Sequence, residues 1–164
     1  MDITITEFHT KKEMYAQMAR HIQNIFEETS DLYAALANTS ALMALYLKDI
    51  NWAGFYLLKN KELILGPFQG KPAVARIQIG DGVCGTAVRE RAQQRVDDVH
   101  SCCNHIACDL NSSSEIVTPI FVQDQIFGVI DVDSPLPARF DEEDGEGMKL
   151  LAETFSGYVP IPPG

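Results

Sequence analysis

The chain contains no long hydrophobic run: nothing in its 164 residues approaches the ~20 consecutive apolar residues that a membrane-spanning helix requires. Basic residues are few, 13 lysines and arginines against 23 acidic residues, and they never form a run; Lys11, Lys12, Arg89 and Arg91 are scattered. The net charge of −10 argues against nucleic acid as a partner, since binding a phosphate backbone needs clustered positive charge. The opening MDITITEFHTKKEM has no apolar segment behind basic residues, so no signal peptide is read there and a cytoplasmic protein is expected. Internal repeats and linkers are missing as well. Cysteine is scarce, and all four, Cys84, Cys102, Cys103 and Cys108, fall between positions 84 and 108. A structural disulfide framework would tie distant segments together, whereas clustering suggests a site. In a reducing compartment those thiols stay free unless chemistry oxidises them.

What is present is an ordinary globular composition, 46% hydrophobic and 22% charged, with enough chain to bury one core. One domain over residues 1–160 with a tail at 161–164 is expected. Thr10-Lys11-Lys12-Glu13 has the form of a helix capping box, and Met14, Met18, Ile22, Ile25 and Phe26 follow at helical spacing, predicting a helix over 10–28. Ser30-Asp31 can cap a second helix ending near Leu47. From Ile50 the pattern becomes that of strands. Asn51–Leu58 and Glu62–Leu65 flank a polar turn and predict a hairpin; Gly66-Pro67, Gly70 and Pro72 then break the chain before a short strand at 74–79. A Gly80-Asp81-Gly82 turn leads into a short helix over 83–91. Residues 97–114 read as a long surface loop, a length more often functional than idle. Two strands, 115–122 and 126–132, form a second hairpin. A last helix begins at Phe140-Asp141, with Gly145 and Gly147 weakening its first turns. The order predicts an α+β fold with a central antiparallel sheet flanked by helices, not a doubly wound parallel sheet.

Candidate chemistry gathers around thiols and carboxylates. Cys84 follows a Gly-x-Gly turn in the first turn of a helix, where free N–H groups and the dipole would favour a thiolate; the plain alternative is a small buried cysteine packed where helix meets sheet. Cys108 lies near the end of the long loop beside Asp109, with His100 and His105 as sources of activation and an inert loop thiol as the plain alternative. His100, Cys102, Cys103, His105 and Cys108 also invite a zinc reading, but the two separated ligand pairs of structural zinc sites are absent and no metal is expected. Asp131 and Asp133, two apart in a strand, share one face inside an apolar run, where burial is costly without a purpose. A buried carboxyl can hold its proton to neutral pH and act as an acid. Glu115 opens its strand and alone reads equally well as a solvated edge residue. Trp52 and Tyr56 point to one face of their strand and Phe55 to the other; a lone tryptophan there can wall an apolar pocket that holds a methyl group.

The stretches Asn51-Trp-Ala-Gly-Phe-Tyr56, Leu65-Gly-Pro-Phe-Gln-Gly-Lys-Pro72, Gly82-Val-Cys-Gly-Thr-Ala87, Asp98-Val-His100, His105-Ile-Ala-Cys-Asp109, Ser114-Glu-Ile-Val117 and Val129-Ile-Asp-Val-Asp-Ser134 together resemble the free methionine-(R)-sulfoxide reductases, single-domain enzymes with a GAF fold. They cover most of residues 50–134 in that family's order and spacing. The resemblance implies a thiol-dependent reductase without cofactor. Its substrate would be free L-methionine (R)-sulfoxide, with the S-methyl group against Trp52, Tyr56 in the pocket wall, and polar groups meeting Glu115, Asp131 and Asp133. Cys108 matches the attacking thiolate, which would become a sulfenic acid while Asp133 and Glu115 deliver a proton to the oxygen. A second thiol would then form a disulfide that thioredoxin reduces. The family's usual resolving cysteine stands ten residues before the Gly-Val-Cys-Gly motif, and here that position is Val74. Cys84 matches a third family cysteine and is the first candidate to resolve; Cys102 and Cys103 are alternatives. Pairing of two copies through the N-terminal helices is left open. The competing functions are a small-ligand-sensing GAF module without catalysis, a zinc-binding loop, and a reductase of peptide-bound methionine sulfoxide.

Overall fold

The computed structural model describes residues 1, 3–101 and 111–163. Helix α1 (Lys11–Glu28) starts where the Thr10 hydroxyl accepts from the Glu13 amide, while the Glu13 carboxylate reaches back to the His9 amide. Helix α2 (Leu32–Tyr46) is capped by Asp31, whose carboxylate accepts from the Ala34 amide at 2.8 Å. Strands β1 (Trp52–Lys59) and β2 (Glu62–Gly70) join through Asn60 and Lys61, both at positive φ, the turn geometry that matches the twist of a hairpin. A short strand β3 (Arg76–Gln78) leads to α3 (Gly82–Glu90), and β4 (Gln94–Val96) follows. After a single 3-10 turn at Val99–Ser101 come β5 (Ser114–Val122) and β6 (Gln125–Ser134), turned by Gln123 and Asp124, again both at positive φ. Helix α4 (Glu142–Ser156) closes the fold behind a reciprocal capping box between Asp141 and Asp144.

The six strands form one antiparallel sheet in the order β3-β2-β1-β6-β5-β4. Its two faces carry separate cores. Ala53, Phe55, Leu57, Ile116, Ile120, Ile130 and Val132 meet α1, α2 and α4 on one face. Trp52, Tyr56, Val117 and Val129 meet Val83, Cys84, Ala87 and Val88 of α3 on the other. The alternation expected for Trp52, Phe55 and Tyr56 is therefore the boundary between the two cores. Among the described residues no helix is long and apolar enough to cross a membrane.

Two elements differ from the sequence expectation. Strand β2 does not stop at Leu65 but continues through Gly66-Pro67 to Gly70. Beyond Ile64 its outer neighbour β3 has ended, so β2 is an edge there, and a proline without an N–H removes no ladder bond. Strand β4 is an element for which the sequence carries no local signal. Its three residues, Gln94-Arg95-Val96, have no apolar alternation, and they are held extended by pairing with Glu115–Val117.

The glycines of α4 do more than loosen a helix. A Cβ on Gly147 would lie 2.1 Å from the Tyr15 ring, so the bare backbone is what lets α1 and α4 meet face to face. At this junction the fully buried Asp144 carboxylate accepts from the Tyr15 hydroxyl at 2.7 Å, from Lys11 Nζ at 2.7 Å and from Arg139 at 3.2 Å. Burial, then the Asp144 charge, pushes the Tyr15 hydroxyl above its ordinary range, while the neighbouring Asp141 is held down to about 2, first by its bond from Lys11. Asp144→Ala would leave the buried tyrosine hydroxyl without its acceptor and strip the half-buried Arg139 of its carboxylate partner, keeping for it the Lys48 carbonyl. Breaking such a pair costs roughly 3–5 kcal/mol, so the urea midpoint should fall markedly with the slope unchanged. A midpoint like that of the parent protein would remove this cluster from the stabilising contacts.

Candidate active site

Antiparallel register builds the site in two rows on the face covered by α3. Asp133 on β6 lies opposite Trp52 on β1 and opposite Glu115 on β5, placing an indole and two carboxyls side by side across three strands. Two residues along, on the same face, Asp131 lies opposite Gly54 and Val117. Neighbouring strands are ~4.8 Å apart, so side chains in these rows touch. Above them sits the first turn of α3. The Sγ of Cys84 and one carboxylate oxygen each from Glu115 and Asp131 all lie within 4.8 Å of one another.

The aromatic wall is layered. Trp52 stacks between Tyr56, at 6.0 Å between ring centres, and Phe68, at 5.0 Å. Gly54 makes this possible. A Cβ there would sit 2.3 Å from that of Phe68, so only glycine lets β2 close on β1 at this point. The polar ends of the aromatics hold the β2–β3 connection: Trp52 Nε1 donates to the Lys71 carbonyl at 3.1 Å and the Tyr56 hydroxyl to the Val74 carbonyl at 2.9 Å. Phe68 has no strand pattern to mark it in the sequence, which reads as a strand ending at Leu65, three residues earlier. The signal that was available is Gly54 itself, a glycine inside a strand, which marks a close approach.

Glu115, Asp131 and Asp133 are each at most 5% exposed, and among the described residues no lysine, arginine or histidine is buried. Three acids this close and this dry cannot all ionise. Burial, then the Asp133 charge, pushes the Glu115 carboxyl well above the carboxylate range; burial, then the Glu115 charge, does the same to Asp131. With both protonated, Asp131 donates to Glu115 and Glu115 donates to Asp133, and the Cys84 S–H completes the line by donating to Asp131. The arrangement is a short proton-bearing chain between the sheet and α3. Glu115 is thereby a buried member of the cluster and not a solvated edge residue.

Of the two readings of Cys84, the structure shows the small buried cysteine packed where helix meets sheet, and not the thiolate. Its thiol is pushed up, first by complete burial and then by the acidic groups of Asp131, Glu115 and Asp133. The N-terminal dipole of α3 is outweighed because desolvation and three nearby acids act in the opposite direction. The described part of the chain leaves this cysteine free of any disulfide.

The structure thus brings Trp52, Tyr56, Cys84, Glu115, Asp131 and Asp133 together. Cys108, Cys102, Cys103 and His105 lie outside the described residues. His100 is exposed in the 3-10 turn, its amide donating to Asp98. Val74, at the position of the missing cysteine, is partly exposed and touches the site through its carbonyl. A groove of about 400 Å³ lined by Gln93, Thr118, Phe121, Lys149 and Glu153 among others lies between β5 and α4 and contains none of these groups.

Comparison with known proteins agrees with this geometry. The family model for the GAF domain matches residues 21–159. The free methionine-R-sulfoxide reductase of Escherichia coli (strain K12) is 52% identical over 141 residues, covering 86% of each chain. The structure of fRMsr of Staphylococcus aureus in complex with its substrate superposes with a TM-score of 0.84 at 46% identity, covering 96% of this chain and all of that one. A putative GAF sensor protein from Burkholderia vietnamiensis superposes at 0.88 with 49% identity, covering 92% of this chain and 96% of the other. The chain belongs to the GAF domain family and, within it, to the free methionine-R-sulfoxide reductases.

Proposed function

We propose that this chain reduces free L-methionine (R)-sulfoxide to L-methionine in the cytoplasm, using Cys108 as nucleophile, the buried carboxyls as proton source and thioredoxin as final reductant. The observation that carries the reading is the acid chain Asp131–Glu115–Asp133 beside Trp52 beneath α3. A sulfoxide oxygen is a poor leaving group until it is protonated, and a carboxyl kept neutral by burial supplies that proton near pH 7. The indole face suits the S-methyl group, while Asp133 in the same row provides a negative partner for the substrate ammonium.

In the first half-reaction the Cys108 thiolate attacks the sulfoxide sulfur as Glu115 passes its proton to the oxygen. The oxygen then passes to Cys108: a Cys108 sulfur–oxygen bond forms as the substrate's sulfur–oxygen bond and the transient sulfur–sulfur bond break, so methionine leaves and Cys108 is a sulfenic acid. In the second, a thiol condenses with the sulfenic acid, releasing water and forming a disulfide. Exchange with thioredoxin restores both thiols. Cys84, standing at the acid chain, is the first candidate for that thiol, with Cys102 and Cys103 as alternatives.

An assay of methionine formation with separated epimers and thioredoxin tests the activity directly. The R epimer of the free amino acid should turn over, while the S epimer and peptide-bound sulfoxide should be slower by about 10²-fold or more, since misplacing the oxygen from the acid removes the proton transfer. Likeness to a sensor of the same fold supports the second reading, a ligand-binding module. That reading predicts binding of a small ligand with no consumption of thioredoxin.

A further inference from the structure

We propose that the buried cluster formed by Cys84, Glu115 and Asp131 is also a binding site for a thiophilic divalent cation such as Zn²⁺ or Cd²⁺, which competes with the sulfoxide and holds the enzyme inactive. The inference rests on reading this cluster as the substrate site and adds a second ligand to it. Three donor atoms, one sulfur and two carboxylate oxygens from three different elements, already lie within 4.8 Å of one another. Around a tetrahedral zinc ion with ordinary bond lengths, neighbouring ligands are roughly 3.4–3.7 Å apart, so a small inward movement of side chains completes three corners and leaves the fourth open.

A second observation points to a ligand independently of this clustering. Asp131 is 1% exposed, and its Oδ1 has no hydrogen-bond partner among the described residues. The other oxygen of this carboxyl engages Glu115 and Cys84, while the unpaired one costs free energy that a cation would recover on displacing the protons of Cys84, Glu115 and Asp131 to solvent. The absence of any buried lysine, arginine or histidine among the described residues leaves the cluster without fixed positive charge to repel an ion. The donor set chooses the metal. One soft sulfur with two oxygens suits Zn²⁺, Co²⁺ or Cd²⁺, whereas Ca²⁺ takes six to eight oxygen ligands and Mg²⁺ an octahedral set. Because the same carboxyls meet the substrate, ion and sulfoxide exclude each other, making a repair enzyme sensitive to the free level of thiophilic metal.

Cobalt(II) serves as the spectroscopic probe, since a thiolate bound to it gives a charge-transfer band that needs no turnover to be seen. Titration of the reduced full-length protein should produce that band. It should survive Cys108→Ser, vanish in Cys84→Ser, and weaken by about tenfold or more in apparent affinity in Asp131→Asn, an isosteric change that keeps the fold if the serine variant does not. Saturating methionine sulfoxide should displace the ion from Cys108→Ser. A band that persists in Cys84→Ser, or one that is lost in Cys108→Ser while Asp131→Asn binds normally, would move the metal to the loop cysteines and overturn the proposal. Competition by sulfoxide separates the two readings. A cobalt band tied to Cys84 that sulfoxide cannot displace refutes the inhibitory role, and absence of reductase activity in chelator-treated, metal-free protein that still gives the band on adding cobalt refutes the enzymatic reading alone.

Discussion

Replacing Cys108 with serine is expected to abolish methionine formation even in a single turnover, a loss on the order of 10³-fold or more, because a serine hydroxyl at neutral pH offers no anion able to attack the sulfoxide sulfur. Cys84→Ser should behave differently. With Val74 where the resemblance places the family's usual resolving cysteine, Cys84 is the first candidate we propose to condense with the sulfenic acid, and its buried thiol is raised in pKa by desolvation and the adjoining acids. A thiol so seldom ionised attacks slowly, so resolution and not oxygen transfer should limit the steady state of the parent enzyme. Mixing reduced Cys84→Ser with excess sulfoxide should therefore release about one equivalent of methionine as a burst, followed by slow turnover with thioredoxin. Stoichiometric methionine from Cys108→Ser would end the assignment of the nucleophile. Unchanged steady-state rates in Cys84→Ser would pass the resolving role to Cys102, Cys103 or external thiol.

The residues differ in how far their roles could be read along the chain. Period two in Trp52, Phe55 and Tyr56 placed each ring in the correct core, and the same rule put Asp131 and Asp133 on one face. Both hairpins and the four helices follow from caps and turns that are local in sequence, and local signals survive folding well. What failed was decided by distant partners. β4 is extended only because β5 pairs with it, and β2 passes through Pro67 only because β3 has stopped beside it. Glu115 looked equally suited to solvent; pairing with Asp133 and coverage by α3 bury it. The choice between a thiolate and a buried thiol at Cys84 is open in the sequence for the same reason. A helix N-terminus is visible in Gly82-Val-Cys-Gly, but the carboxyls that oppose it arrive from strands 31 and 47 positions later, counted from Cys84 to Glu115 and Asp131. The nucleophilic role of Cys108 rests on family resemblance, since no spacing or pattern in residues 97–114 distinguishes it from its neighbours.

Glu115→Gln should reduce kcat/KM by roughly 10²–10⁴-fold, the usual contribution of a positioned general acid, while preserving the shape of the pocket. The pH profile identifies the cause. Glu115 must hold its proton to serve, and burial followed by the Asp133 charge raises its pKa well above the ordinary 4.5. Parent kcat/KM, which reads the oxygen-transfer step, should accordingly fall as pH rises through the raised value, and that alkaline limb should vanish in the glutamine variant. Stability must move the other way. A carboxyl whose folded pKa exceeds its unfolded one binds the proton more tightly when folded, so its contribution is complete below the unfolded value and lost as pH climbs through the folded one. Glutamine carries no charge to desolvate, so the variant should melt higher than the parent at neutral and mildly alkaline pH and converge with it near pH 4. For a chain of this size each kcal/mol regained raises Tm by about 2–4 °C. Asp131→Asn should show the same sign, since its carboxyl is raised by burial and by Glu115. A glutamine variant that is both inactive and less stable at every pH would mean that Glu115 serves the fold. One that is fully active would remove it from the proton path. Only the combination of lost activity and gained stability fits an acid kept at a thermodynamic cost for the reaction it performs.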